Sequence, residues 1–158
     1  MSITKEIARH LREIHFGNNW TSTSMKQVLE NVTWQQAIQN PIEGNSIAVL
    51  VYHTNYYLNI VASLVKAEQV KYNHEDSFKV SPINSAEDWK NLVEKTWTDA
   101  EKLAKLIEAF PEEKLWLSIS PKYGNYYKNL HGVVEHNHYH LGQIVFLKKI
   151  FSDTKTKN

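Results

Sequence analysis

The segment EHNHYHLGQI, residues 135–144, contains three of the chain's eight histidines within five positions. Neutral imidazole is a common ligand of divalent metal ions, and two histidines four residues apart on a helix have Cβ atoms ~5–6 Å apart. His136 and His140 have this spacing. With His136 at zero on a helical wheel, His140 lies at ~40°, whereas His138 and His131 lie at ~200° and ~220°. We therefore expect the first two to point inward together and the other two to be exposed polar residues.

The face of this helix that carries His136 and His140 is otherwise apolar. Within ~80° of His136 on the wheel lie Val133, Ile144, Leu147 and Phe151, together with the polar Gln143. His53 lies in the middle of a second apolar face, formed by Val49, Leu50, Tyr57, Ile60, Val61 and Leu64. One buried histidine is usually a core residue with its own hydrogen-bond partners. Burying three imidazoles without partners would cost on the order of 1–3 kcal/mol each, which is much of a domain's free energy of unfolding. They need a common partner, and a divalent metal ion bound by all three would supply it.

Three neutral protein ligands leave a coordination position open for water or substrate, as in catalytic metal sites. The ligand set suits zinc, nickel, iron or copper. His10, at the edge of the first helix's apolar face, is a weaker fourth candidate. His15 and His74 are interpreted as solvated or local capping residues.

The spacing of the histidines also argues against one class of enzyme. Metalloproteases of the HExxH type use the glutamate after the first histidine as general base. That position is Asn137 here, and Glu135 projects ~100° away from the face of the histidines. A peptidase is therefore not expected.

The length and composition of the chain limit its domain number, its partners and its location. A chain of 158 residues suits one domain. A net charge of +1 gives no indication of a basic surface that would bind nucleic acid or an anionic membrane. The absence of cysteine excludes disulfides, thiolate ligands and a cysteine nucleophile. No run approaches the ~18–20 apolar residues of a membrane span, and the first ten residues do not resemble a signal peptide. We expect a cytoplasmic protein.

The periodicity of apolar residues predicts four long helices, over about 2–16, 46–69, 85–110 and 125–151. Asn45 is the expected cap of the second. Two shorter helical pieces, about 24–31 and 33–39, precede it, the latter opened by a capping box and closed by Pro41. With no alternating strand pattern, this predicts an all-α chain forming a four-helix bundle in one domain, residues 1–158, with a long connection between helices one and two.

Two motifs resemble the DinB-like metalloenzyme family: LVYHTNYY, residues 50–57, and VVEHNHYHLGQI, residues 133–144, in which HxxxH is followed by LGQ. The resemblance implies a four-helix bundle in which His53, His136 and His140 bind a divalent metal, zinc or nickel in related proteins. The family includes bacillithiol transferases and mycothiol-dependent maleylpyruvate isomerases, and it contains frequent homodimers.

The leading functional hypothesis is a metal-dependent transferase or isomerase that uses a small-molecule thiol and an electrophilic substrate. The bound thiol would be deprotonated by the ion and would act as the nucleophile. Gln143 and Tyr57 are candidates to hydrogen-bond a ligand or to orient a histidine, and packing explains them equally well. Two alternatives stay open at this point: hydrolysis by water activated on the same ion, and a non-catalytic metal-binding stress-response module.

The fourth helix has a second apolar stripe, Val134, Leu141 and Val145, opposite the histidine face. Packing under the segments near Trp20 or Trp116 would explain it. A homodimer interface would explain it equally well.

Overall fold

The computed structural model describes residues 2–40, 44–69 and 72–153. Its helices are α1 (Ile3–Phe16), α2 (Met25–Leu29), α3 (Trp34–Ile38), α4 (Ile47–Val65), α5 (Ala86–Glu108) and α6 (Tyr126–Asp153). Two 3₁₀ helices, His74–Phe78 and Glu112–Lys114, and two short strands, β1 (Ser118–Ser120) and β2 (Gly124–Asn125), complete the elements in these ranges. The chain is mostly helical, as the sequence predicts. Within the described residues no helix combines the length and apolarity that crossing a membrane requires.

Serine side chains begin three of the four long helices. The hydroxyls of Ser2, Ser46 and Ser85 accept hydrogen bonds from backbone N–H groups in the first turns of α1, α4 and α5. The expected cap at Asn45 is thus one residue too early. Gly17 ends α1 with φ 124°, a left-handed conformation that favours glycine.

Other predicted boundaries differ from the observed ones at the connections. The second long helix ends at Val65 rather than at residue 69. The capping box predicted at Thr33 is present, with both reciprocal hydrogen bonds to Gln36. Pro41, the expected end of that segment, lies outside the described residues.

The expectation that the chain has no strands is wrong at one place. Residues 118–125 form an antiparallel hairpin, and Gly124 takes φ 73° where the chain turns back. The Asn125 side chain then accepts a hydrogen bond from the backbone N–H of Lys128 at 2.8 Å, which caps α6. The hairpin therefore fixes the start of the helix that carries two of the candidate ligands.

The four long helices pack around one hydrophobic cluster. α1 and α4 each pack against both α5 and α6. Fully buried side chains from all four helices form the centre of the cluster; they include Leu11, Leu58, Leu103 and Ile144. This arrangement makes α4 and α6 neighbours, which is the condition for His53 to approach the histidines of α6.

The second apolar stripe of α6 is covered within the chain. Val134 and Leu141 are buried and Val145 is partly buried, on a helix that packs against α1 and α2 as well as α4. Trp20 and Trp116, whose segments are the expected cover, are 99% and 61% exposed. Since packing explains the stripe, it gives no separate support to a homodimer, which stays a prediction from the sequence.

Candidate metal centre

Polar contacts with α5 set the rotation of α4 and so direct His53. Asn55, 2% exposed, donates to the Thr96 hydroxyl at 3.0 Å, and Asn59 donates to Asp99 at 2.8 Å. His53 precedes Asn55 by two residues, which is ~200° around a helix. With Asn55 held against α5, His53 therefore faces the opposite neighbour, α6.

The three predicted ligands converge. The Nε2 atom of His136 lies 3.1 Å from Nε2 of His53 and 3.1 Å from Nε2 of His140. One nitrogen from each ring can be chosen so that all lie within 4.8 Å of one another. Zinc held tetrahedrally at ~2.0–2.1 Å from its nitrogen ligands would separate them by ~3.3–3.4 Å. The two 3.1 Å separations are thus within a few tenths of an ångström of the spacing that one ion requires, and the three histidines could hold a metal ion.

Ser77 determines which nitrogen of His53 carries the proton. The Ser77 hydroxyl donates its single hydrogen to the backbone carbonyl of His74 at 2.6 Å. It must therefore accept in its 2.9 Å contact with Nδ1 of His53, so Nδ1 is the protonated nitrogen. The lone pair of Nε2 then points at the centre of the three rings, as a metal ligand requires.

Gln143 determines in the same way which nitrogen of His140 carries the proton. Its side-chain oxygen, an acceptor, lies 2.7 Å from Nδ1 of His140 and so takes a hydrogen bond from that nitrogen. Nε2 of His140 is left with its lone pair facing His136. The orienting role suggested for Gln143 by the sequence matches this contact, whereas Ser77 lies in a polar connection and has no periodicity that would reveal it.

Without an ion, the two ring nitrogens of His136 have the poorest hydrogen bonding of the three histidines. Its Nδ1 is buried and has no hydrogen-bond partner among the described residues. Its Nε2 faces two nitrogens that both present lone pairs, and one hydrogen placed between them cannot be well aligned with both at 3.1 Å. A cation shared by the three Nε2 atoms would replace this lone-pair repulsion with attraction. The donor set therefore fits a divalent metal.

The three rings are neutral near pH 7. Burial, followed by the neighbouring His140, lowers the pKa of His53 to about 4, and the same two causes lower the pKa of His136 to about 3. Burial also lowers the pKa of His140. Because a histidine must be unprotonated to bind a metal, these shifts leave the lone pairs available well below neutral pH.

Aromatic rings surround the candidate ligands. Phe78 stacks on His53 at 4.3 Å between ring centroids, and the Tyr57 ring lies 5.0 Å from His53 and 4.5 Å from His136. The hydroxyl of Tyr57 bonds to Tyr72 at 2.7 Å and to Nδ1 of His74 at 2.9 Å, not to a ligand histidine. Burial raises the pKa of Tyr57, so the phenol stays protonated. Tyr57 therefore contacts the centre by ring packing.

The other candidate histidines do not join the centre. His10 is exposed on α1, beside the guanidinium of Arg9, and His74 is exposed in its 3₁₀ helix. Among the described residues, the group of histidine, aspartate and glutamate side chains close enough to share an ion contains only His53, His136 and His140. No carboxylate therefore belongs to the ligand set.

The interpretation of His15 as a solvated residue is wrong. The ring is fully buried, and its Nδ1 bonds to the Leu11 carbonyl at 2.8 Å. Burial lowers the pKa of His15 to about 4. His15 follows Leu11 by four residues, so it lies on the buried stripe of α1 and not at a frayed end.

The outward-facing histidines of α6 are also less exposed than expected. His138 is half-buried with Nε2 shielded from solvent, because α1 packs against α6, and burial lowers its pKa. His131 is half-exposed and stacks on Tyr127, with ring centroids 5.6 Å apart. Both lie away from the candidate centre, as the wheel predicts, but neither is a fully solvated side chain.

No family model, curated protein or solved structure matches this chain. The DinB-like resemblance therefore stays a prediction that rests on the two sequence motifs.

Proposed function

We propose that the chain is a DinB-like four-helix bundle in which His53, His136 and His140 bind a divalent metal ion, zinc or nickel. The observation that carries the proposal is the convergence of three Nε2 atoms, two of them fixed as lone-pair donors by Ser77 and Gln143. Core histidines would also need acceptors for their N–H groups, but their remaining lone pairs would not have to face one point. The arrangement of Ser77 and Gln143 is that of outer partners that orient metal ligands.

We propose further that the centre serves a transferase or isomerase that uses a low-molecular-weight thiol. A bound divalent ion would lower the pKa of a coordinated thiol, so that the thiolate forms near neutral pH. Two features favour a thiol over water: the chain has no cysteine to act as its own nucleophile, and among the described residues no carboxylate stands with the ligands to protonate a leaving group. His136 is only half-buried, so a small molecule has access to the centre.

The chain's own residues would prepare the reaction. Ser77 and Gln143 hold two imidazoles in the required tautomer and orientation. The rings of Phe78 and Tyr57 cover the ligands and limit the approach of water. A drier environment strengthens electrostatic interactions with a thiolate.

Metal content tests the first part of the proposal. Protein purified without an affinity tag and without added metal is expected to contain close to one equivalent of a divalent ion, measured by elemental analysis. His136→Ala should contain little or none. His131→Ala, a histidine of the same helix outside the cluster, is the matched control and should retain the ion. Equal metal content in the two variants would contradict the assignment.

Conjugation to monochlorobimane tests the second part. In this reaction the thiol releases its proton to solvent, a sulfur–carbon bond forms, the carbon–chlorine bond breaks, and chloride leaves. Metal-loaded protein is expected to accelerate the reaction with at least one of cysteine, glutathione, coenzyme A and bacillithiol, and His136→Ala is not. Acceleration by no thiol, combined with hydrolysis of an ester or amide panel, would favour the hydrolase. Inactivity in both assays, with unfolding on metal removal, would favour the non-catalytic module.

A further inference from the structure

A cavity of about 240 Å³ lies beside the candidate metal centre, in the groove between α4 and α6. Ile60, Val61 and Leu64 of α4 provide its apolar side, and Asn129 lines it from α6. At ~30 Å³ for each water in the liquid, the space corresponds to roughly eight water molecules. It is large enough for a small organic molecule.

Tyr57 joins this cavity to the metal centre. One side of its ring lies 4.5 Å from the ring of His136, and the same residue lines the cavity. Asn129 precedes His136 by seven residues, so it lies on the same face of α6 and ~10 Å away along the helix axis. The cavity and the two histidines of α6 therefore lie along the same face of that helix, with Tyr57 in contact with both.

The cavity has a positive charge at its edge. Lys122, in the turn of the hairpin, places Nζ 5.7 Å from the centroid of the Tyr72 ring and 5.3 Å from that of Tyr123. All three residues line the cavity, and no aspartate or glutamate of the described part of the chain does. Among the described residues, no carboxylate lies within ion-pair distance of Lys122. The ammonium group is thus held by two aromatic faces and remains able to pair with an anion.

The remaining polar groups limit the charge of that anion. The hydroxyls of Tyr57 and Tyr72 bond to each other at 2.7 Å. The side-chain amide of Asn129 donates to the carbonyls of Tyr123 and Asn125. Among the described residues, one ammonium group and no further cation lines the cavity, so this lining suits a single negative charge better than a phosphate dianion.

We infer that this cavity binds the non-reacting part of the substrate, a small organic monocarboxylate with an apolar or aromatic body. The carboxylate pairs with Lys122, the body lies against Ile60, Val61 and Leu64, and the reactive end points past Tyr57 to the three histidines. The inference extends the proposed function, because it names the substrate class of the same centre.

Phenylacetate and its neutral counterpart phenylacetamide provide matched probes of this cavity. In an amide NMR titration of the metal-free protein, where no ion can capture the carboxylate, phenylacetate is expected to shift resonances of residues 57–64 and 122–129. Lys122→Met should weaken phenylacetate binding about fivefold, as expected for one partly solvated charge pair, and leave phenylacetamide binding unchanged. Lys102→Met, an exposed lysine of α5 that does not line the cavity, is the control and should bind both probes like the wild type.

The outcomes separate this inference from the metal proposal. Binding in the metal-free protein that depends on Lys122 supports the cavity even if the protein takes up no metal. Absence of binding in both the metal-free and the zinc-loaded protein overturns it. Phenylacetate binding that requires zinc and is unchanged by Lys122→Met also overturns the cavity inference, because the carboxylate would then bind the ion. The proposal of a metal centre would be retained in that case.

Discussion

Replacing Ser77 by alanine tests whether a hydroxyl outside the ligand set governs metal affinity. Ser77 is fully buried, and its hydroxyl connects Nδ1 of His53 to the His74 carbonyl. Without it, two buried polar atoms lose their partner and His53 is free to carry its proton on Nε2. That proton would point at Nε2 of His136, 3.1 Å away, and would compete with the ion.

The expected loss follows from this geometry. Removing an outer hydrogen-bond partner of a ligating histidine typically lowers metal affinity 10- to 100-fold, which is ~1.4–2.7 kcal/mol. We expect Ser77→Ala to lie in the upper half of that range, because the Ser77 side chain is fully buried and no water can easily replace its hydroxyl. The measurement is a zinc titration of metal-free protein against a chromophoric chelator at neutral pH.

Ser46→Ala provides the matched control. Ser46 is also a buried serine, but its hydroxyl caps α4 through the backbone N–H of Val49 and does not touch the histidines. This variant is expected to lose ~1 kcal/mol of stability while keeping its zinc affinity. If Ser77→Ala bound zinc within twofold of the wild type, or if both variants lost affinity equally, the assignment of the His53 tautomer to Ser77 would be refuted.

Three further predictions concern the same centre and the core. Gln143→Leu should weaken zinc binding about tenfold, because His140 loses its hydrogen-bond acceptor, whereas Gln143→Glu should retain or increase the zinc affinity. The chelator titration measures both variants. Equal losses of affinity would contradict the role of the Gln143–His140 contact. Zinc at about 100 times its dissociation constant should stabilise the wild type by ~2.7 kcal/mol, seen as a higher melting temperature, and His140→Ala should show no shift. His15 alone should lower the free energy of unfolding by about 3 kcal/mol between pH 6.5 and 4, because the unfolded residue takes up a proton in this range that the buried ring, with its pKa of about 4, does not. The free energy of unfolding of metal-free His15→Leu, measured with urea, should lack this part of the pH dependence. An unchanged pH profile would show that His15 does not cause the loss of stability.

The periodic parts of the fold follow from the sequence. A wheel on α6 separates His136 and His140 from His138, and the apolar stripe of α4 places His53 in its middle, so the candidate ligands on each helix follow from the 3.6-residue period. That they meet depends on α4 and α6 being neighbours, which the period does not determine. The same period also places His15 on the stripe of Leu11. The interpretation of His15 as a solvated or local capping residue is wrong because the ring on this stripe is fully buried.

The aperiodic parts do not follow from the sequence. Ser77 reaches His53 across 24 residues of chain, through a polar connection that has no repeating pattern. The strands of the hairpin contain three and two residues, too few for an alternation of apolar and polar side chains to be visible. The exposure of His138 depends on how closely α1 packs against α6, which no pattern on α6 itself encodes.

The His74–Phe78 turn connects α4 to α5 and also supplies the acceptor and the stacked ring that hold His53. Opening of this connection would release His53 from its tautomer even with every helix intact. An ion bound as proposed would therefore be coupled to closure of this turn, so that loss of the ion and opening of the His74–Phe78 backbone would each favour the other.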